Sequence, residues 1–165
     1  MLTLFPYDRD AAVEHARRWA LSRDPRYYDF EELGGDCTNF ASQCVFAGSG
    51  VMNHTPVLGW YYTSASDRTA SWTGVEYFYD FLIGNRGAGP WAVEVSASQA
   101  LPGDIVQLGG PGGFYHSPVI VAVTPRILVC AHTYDALDRP LDTYVFARAR
   151  FLRIEGVRKE TSGAR

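Results

Sequence analysis

The chain has 165 residues, 47% of them hydrophobic and 20% charged, with a formal net charge of −3. That length suffices for one domain with a sizeable core, and the absence of a basic block excludes nucleic acid as an expected partner. No stretch approaches the roughly 20 apolar residues of a membrane helix, and the start, MLTLFPYDRD, lacks the basic beginning and apolar run of a signal peptide. The chain is therefore expected to stay where it is made, or to leave by lysis or a non-classical route.

Residues 8–22, DRDAAVEHARRWALS, predict an amphipathic helix with Ala12, Ala16, Trp19 and Ala20 on one stripe and His15 on the polar flank. A loop, RDPRYYDFEELGG, follows, with Tyr27, Tyr28 and Phe30 as anchors. DCTNFASQCVFAGSG predicts a second helix from Cys37, N-capped by Asp36 and stopped by Gly48 and Gly50, with Phe40, Ala41, Cys44 and Val45 inward. Residues 51–72 read as irregular and carry Trp60, Tyr61, Tyr62 and Trp72. TGVEYFYDFLIG then offers a capping box, Thr73 with Glu76, and a buried stripe of Val75, Phe78, Tyr79 and Leu82. Beyond residue 100 the period changes to two. GDIVQL, HSPVIVAV, ILVCAHT and YVFARARFLRIEGV predict strands, with a turn at 124–126. Helices followed by an antiparallel sheet indicate an α+β fold, with a single domain over 1–157 and a frayed tail over 158–165.

Three cysteines leave at least one free thiol. On one helix, Cys37 and Cys44 would lie about 10 Å apart along the axis, too far for a disulfide. Cys37 is the reactive candidate. A helix start presents unpaired N–H groups and the positive end of the dipole, which favour thiolate and can hold an oxyanion. Cys44 is expected in the core, and Cys130 is a second thiol beside the site. Two histidines supply a base. His116 and His132 have residue 124, the start of the turn, as their midpoint. A hairpin centred there sets them opposite each other on one face, where one imidazole takes the thiol proton and the other orients it. His15 and His54 are expected at the surface. Asn39 and Gln43 are expected to bond neighbouring loops. Trp60, Tyr61, Trp72 and Tyr115 are candidates for the wall of a substrate cleft, with core packing as the rival role.

The block GGDCTNFASQC, residues 34–44, closely resembles the signature of an amidase domain family of the papain-like superfamily. Ser71–Trp72, Gly103–Asp104–Ile105, His116–Ser117 and His132–Thr133 follow in the order of that family's later motifs. The order also looks like a distant version of NlpC-type and CHAP cell-wall hydrolases. The resemblance spans roughly residues 10–145 and implies a papain-like, NlpC-type core. It implies Cys37 as nucleophile, His116 as general base and His132 as the orienting residue, with Asp135 the rival orienter and Asp36 a cap or an oxyanion auxiliary. It implies amide hydrolysis without a cofactor, on a peptide or a peptidoglycan fragment. Two alternatives use the same residues: acyl transfer to an amine through the same thioester, and a zinc site on Cys37, His116 and His132. A non-catalytic binding module is the third.

Overall fold

A computed structural model describes residues 1–162. Strand β1 (Leu2–Phe5) leads into helix α1 (Arg9–Trp19). Asp8 caps this helix, its carboxylate accepting from the Ala11 N–H at 3.0 Å. Ala12, Ala16 and Ala20 are buried as the period required, but so is His15, because the turns of α1 pack directly on the next helix. That helix, α2 (Cys37–Ser49), runs through Gly48 and stops only at Gly50. Gly48 is the point of closest approach: a Cβ there would stand 2.5 Å from Tyr7 Cε1 and 2.7 Å from the Asp8 carbonyl oxygen.

The stretch read as irregular folds into a two-strand hairpin, β2 (Tyr62–Ser64) with β3 (Asp67–Arg68), and a one-turn helix α3 (Ala70–Thr73). Helix α4 (Val75–Gly84) follows. The Thr73–Glu76 capping box does not form, because Thr73 is the last residue of α3 and Gly74 stands at the cap of α4. Phe78, Phe81 and Leu82 make the buried stripe of α4, with Val75 and Tyr79 half-buried at its edge.

The strands are β4 (Gly89–Val95), β5 (Ile105–Gly110), β6 (Gly113–His116), β7 (Val119–Ala122), β8 (Leu128–Ala131), β9 (Ala136–Pro140) and β10 (Arg148–Glu160). They pair antiparallel in the order β1-β10-β5-β7-β8-β9, with β4 also on β10 and β6 also on β5. The fold is α+β, as expected. β10 reaches Glu160, which pairs with Leu2, so residues 158–160 are strand rather than frayed tail. Residues 163–165 of the expected tail lie outside the described residues.

Alternation divides the sheet into two faces. Ile105, Val119, Val121, Cys130, Leu152 and Ile154 pack with α1, α2, α4, Trp60 and Trp72 in one cluster. Val106, Leu108, Ile120, Val129 and Leu141 form a second cluster, against which Tyr144 and Phe151 pack.

The Gly103–Asp104 motif ties the layers together. Asp104 is fully buried and accepts from Arg9 Nη1 at 2.7 Å, from the Ile154 N–H at 2.9 Å and from the Leu101 N–H at 2.7 Å. One carboxylate thus joins α1, β10 and the turn before β5. Removing one partner of a buried ion pair strands the other charge, at about 3 kcal/mol or more. Asp104→Ala is expected to lower the unfolding free energy by about that amount in urea titration; a loss under about 1 kcal/mol would show that the Arg9 pair is not a structural tie.

Candidate active site

Cys37 is the first residue of α2 and is 9% exposed, the most accessible of the three cysteines; Cys44 and Cys130 are both 0% exposed in the core. All three are free thiols. The chain enters α2 through Gly34 and Gly35, with φ of 92° and 100°. Only glycine takes this left-handed path without strain, and at Gly35 a Cβ would also press on Thr133 Oγ1 at 3.1 Å.

Asp36 occupies the cap position of α2 but caps nothing: its side chain makes no bond to the helix N–H groups. The carboxylate turns away instead. Oδ1 accepts from the Phe30 N–H at 2.8 Å and from Asn39 Nδ2 at 2.9 Å. Oδ2 accepts from His132 Nδ1 at 2.5 Å, with both side chains 1% exposed. The expected cap does not form, because the Phe30 N–H, Asn39 and His132 take the carboxylate instead.

The same contact decides the place of His132. Its Nδ1 bonds Asp36, its Nε2 lies 2.7 Å from the Trp19 carbonyl oxygen, and its ring stacks on Phe40 at 4.0 Å. Both ring nitrogens are thus engaged within the fold. Neither nitrogen is left to orient His116, the role expected from its spacing. The neighbouring Thr133 accepts from the Asp36 N–H at 2.9 Å and donates to Glu31 at 3.2 Å. The HT pair therefore clamps the start of α2. Asp135, the rival orienter, is held by Arg23 through two bonds of 2.9 and 3.1 Å and bonds neither histidine.

His116 is not part of a single strand with Val119. Ser117 and Pro118 break the run: His116 ends β6, opposite Leu108 of β5, while β7 pairs with β8 in the register Val119↔Cys130. The hairpin that was to set His116 against His132 thus begins three residues later. The connecting Ser117 is fully buried. Its hydroxyl lies 3.2 Å from Thr38 Oγ1 and accepts from Gln107 Nε2 at 3.0 Å. Thr38 Oγ1 in turn lies 3.7 Å from the Cys37 sulfur. The Thr38 hydroxyl thus links the thiol to the residue that follows His116. The serine of the HS motif was the visible signal for this link.

Burial sets the electrostatics, against the expectation of a thiolate at the helix start. It pushes the Cys37 thiol up from its ordinary value, and the Thr38 hydroxyl and the Ser117 and Thr38 N–H groups only partly offset it. Burial, followed by the Arg139 charge, pushes His116 down to about 4. At neutral pH the groups are a thiol and a neutral imidazole.

Of the other histidines, His54 is exposed as expected, whereas His15 is buried and its Nε2 lies 3.1 Å from Gln43 Oε1. Asn39 bonds the Tyr28 carbonyl at 2.9 Å, the loop contact expected of it. Trp60 and Trp72 are 0% exposed, their rings 4.7 Å apart, and their indole N–H groups donate to Ser42 and Asn39 of α2. They are core, because burying two indoles against α2 removes more apolar surface from water than any cleft would. Tyr61 is half-buried against His54, and Tyr115 is exposed on the face of β6 opposite His116. A cavity of about 420 Å³ between Leu58, Tyr77, Phe81 and Arg86 touches neither Cys37 nor His116. Among the described residues no three His, Cys, Asp or Glu side chains converge as metal ligands, so the zinc set is not assembled. Nor is any described helix long and apolar enough to cross a membrane.

Residues 6–154 match the family described as "Putative amidase domain". The chain belongs to this family. Over 141 residues it is 37% identical to an uncharacterized protein of Bacillus subtilis (strain 168), YhbB; the match covers 82% of this chain and 44% of that protein, so the chain spans less than half of the relative's length. No solved structure matches it significantly. Membership in the amidase domain family indicates hydrolysis of amide bonds.

His132→Ala is expected to cost about 3 kcal/mol in urea unfolding, since it removes the short buried bond to Asp36 Oδ2 and leaves that oxygen only Arg23 Nε at 3.7 Å. Asp135→Ala, at a half-exposed pair, should cost less than about 1 kcal/mol. Equal effects would refute the division of roles between them.

Proposed function

We propose that the protein is a cysteine-dependent amidase with a papain-like arrangement, acting through an acyl-enzyme on Cys37. One observation carries this reading: the Thr38 hydroxyl lies 3.7 Å from the Cys37 sulfur and 3.2 Å from the Ser117 hydroxyl, which links the nucleophile to the residue next to His116. His116 is also the buried histidine whose ring bonds no described residue, whereas His15 and His132 are engaged. The uncapped first turn of α2 supports it further, because its N–H groups stay open to an oxyanion.

The reaction starts from neutral partners. The sulfur attacks the amide carbonyl carbon as the thiol proton passes to His116. The carbonyl oxygen becomes the oxyanion and lies at the N–H groups of the α2 start. His116 returns the proton to the amide nitrogen, the C–N bond breaks and the amine leaves. A thioester remains on Cys37. His116 then takes a proton from water, the hydroxide attacks the thioester, and the acid departs as sulfur regains its proton. The substrate we infer is a peptide amide of the peptidoglycan type, a reading that rests on the motif order shared with NlpC-type and CHAP hydrolases.

Digestion of muropeptides followed by mass spectrometry identifies the bond cleaved; intact muropeptides beside cleavage of simple peptide amides would remove the cell-wall assignment and leave the amidase one. Cys37→Ala and His116→Ala should each lower kcat/KM by at least about a thousandfold.

The pH profile is the sharper test. His116 works as a base only when neutral, and its pKa is pushed down to about 4, so activity should hold at pH 5–6 and fall as pH drops through about 4. An acid limb near 6.5 would mean that a solvated imidazole is the base.

A further inference from the structure

His132 and Asp135 are both engaged elsewhere, so the orienter of His116 must lie in another part of the fold. The His116 ring packs against Tyr144, with centroids 5.8 Å apart and planes at 46°. Tyr144 belongs to the second cluster, on the side of Leu108, the residue that His116 opposes across the ladder. Its hydroxyl is buried and makes no hydrogen bond of good geometry, with Arg139 the one polar side chain close to it. Buried hydroxyls without partners are rare in folded proteins, and one beside an unengaged imidazole calls for an explanation.

The ring of Tyr144 is held firmly. Arg139 lies over its face, 3.7 Å from the centroid, and is itself fixed by bonds to Thr143 Oγ1 at 2.8 Å and the Thr143 carbonyl at 3.0 Å. Arg139 forms no ion pair with any described residue, so its charge acts on the phenol beneath it and, at longer range, on His116. The cation disfavours an imidazolium at 116 and leaves a neutral ring, which has one N–H and one lone pair. Only one of its two tautomers offers the lone pair to a thiol.

We propose that the Tyr144 hydroxyl is the positioning group for His116: it accepts the ring N–H, selects the tautomer, and leaves the other nitrogen free for the Cys37 proton. This rests on the Cys37–His116 reading above and replaces His132 in the third role. With the Tyr144 ring held by Arg139, the hydrogen bond closes by rotation of the unengaged His116 ring, since catalytic hydrogen bonds are often open in the absence of substrate.

The test needs no substrate. Side-chain ¹⁵N NMR of His116 reads the tautomer, and iodoacetamide labelling at fixed pH reads the assisted thiol. Wild-type protein should show one dominant His116 tautomer and Cys37 labelled ahead of Cys44 and Cys130. Tyr144→Phe keeps the ring and its stacking with Arg139, and should give a mixed tautomer and slow labelling about tenfold. Tyr144→Leu should give the same two changes. If Tyr144→Phe behaves as wild type and only Tyr144→Leu is impaired, the residue merely packs and the proposal is overturned. His116→Ala separates the two readings. If labelling of Cys37 is indifferent to it, the thiol–imidazole pair itself fails, whatever the tautomer does.

Discussion

The bond between Asp36 and His132 is the contact on which the site depends. It joins the residue before α2 to the end of β8, fully inside the protein. With His132 also on the Trp19 carbonyl and Thr133 on the Asp36 N–H, it ties α1, α2 and the sheet at one point. A carboxylate and an imidazole are costly to bury apart and stable to bury together with their remaining hydrogen bonds made. The first turn of α2, and with it the sulfur of Cys37, is therefore held by this buried network. The two motifs that look most catalytic in the chain, DC and HT, meet each other.

Desolvation then governs reactivity. A helix start beside a histidine suggests a ready thiolate–imidazolium pair. The interior works in the other direction on both members, raising the thiol and lowering the imidazole. Each neutral form is favoured, and charge appears only as the proton moves. On the proposed mechanism such a site would resemble a hydroxyl–imidazole pair in its logic, with the base poised well below neutral pH and the nucleophile activated only during attack. The neutral resting pair also accounts for placing the cation of Arg139 nearby: it opposes an imidazolium without opposing an imidazole.

The aromatic residues show how far composition leads. Trp60 and Trp72 lie in the stretch that reads as irregular, where a wall for substrate is a natural reading. They are instead part of the main cluster, packed on each other, with Trp60 also stacked on Phe78 and Phe81, and both donate into α2. Conversely Tyr144, which follows a short 3₁₀ turn and carries no motif, lies against the candidate base. Nothing in its neighbours along the chain marks it.

Local sequence determined the helix α1, the start of α2 at Cys37, the switch to strands after residue 100 and the α+β class, because these follow from the spacing of apolar residues along the chain. The cysteine block and the order of the later motifs determined the family. Tertiary structure alone decided the partners. Whether Asp36 caps a helix or takes a proton donor from 96 residues away is a contest between a local amide and a distant imidazole, and only the folded chain brings the second into reach. The same holds for pKa direction: burial is a property of the whole packed interior, and no stretch of sequence states how much water a side chain has lost.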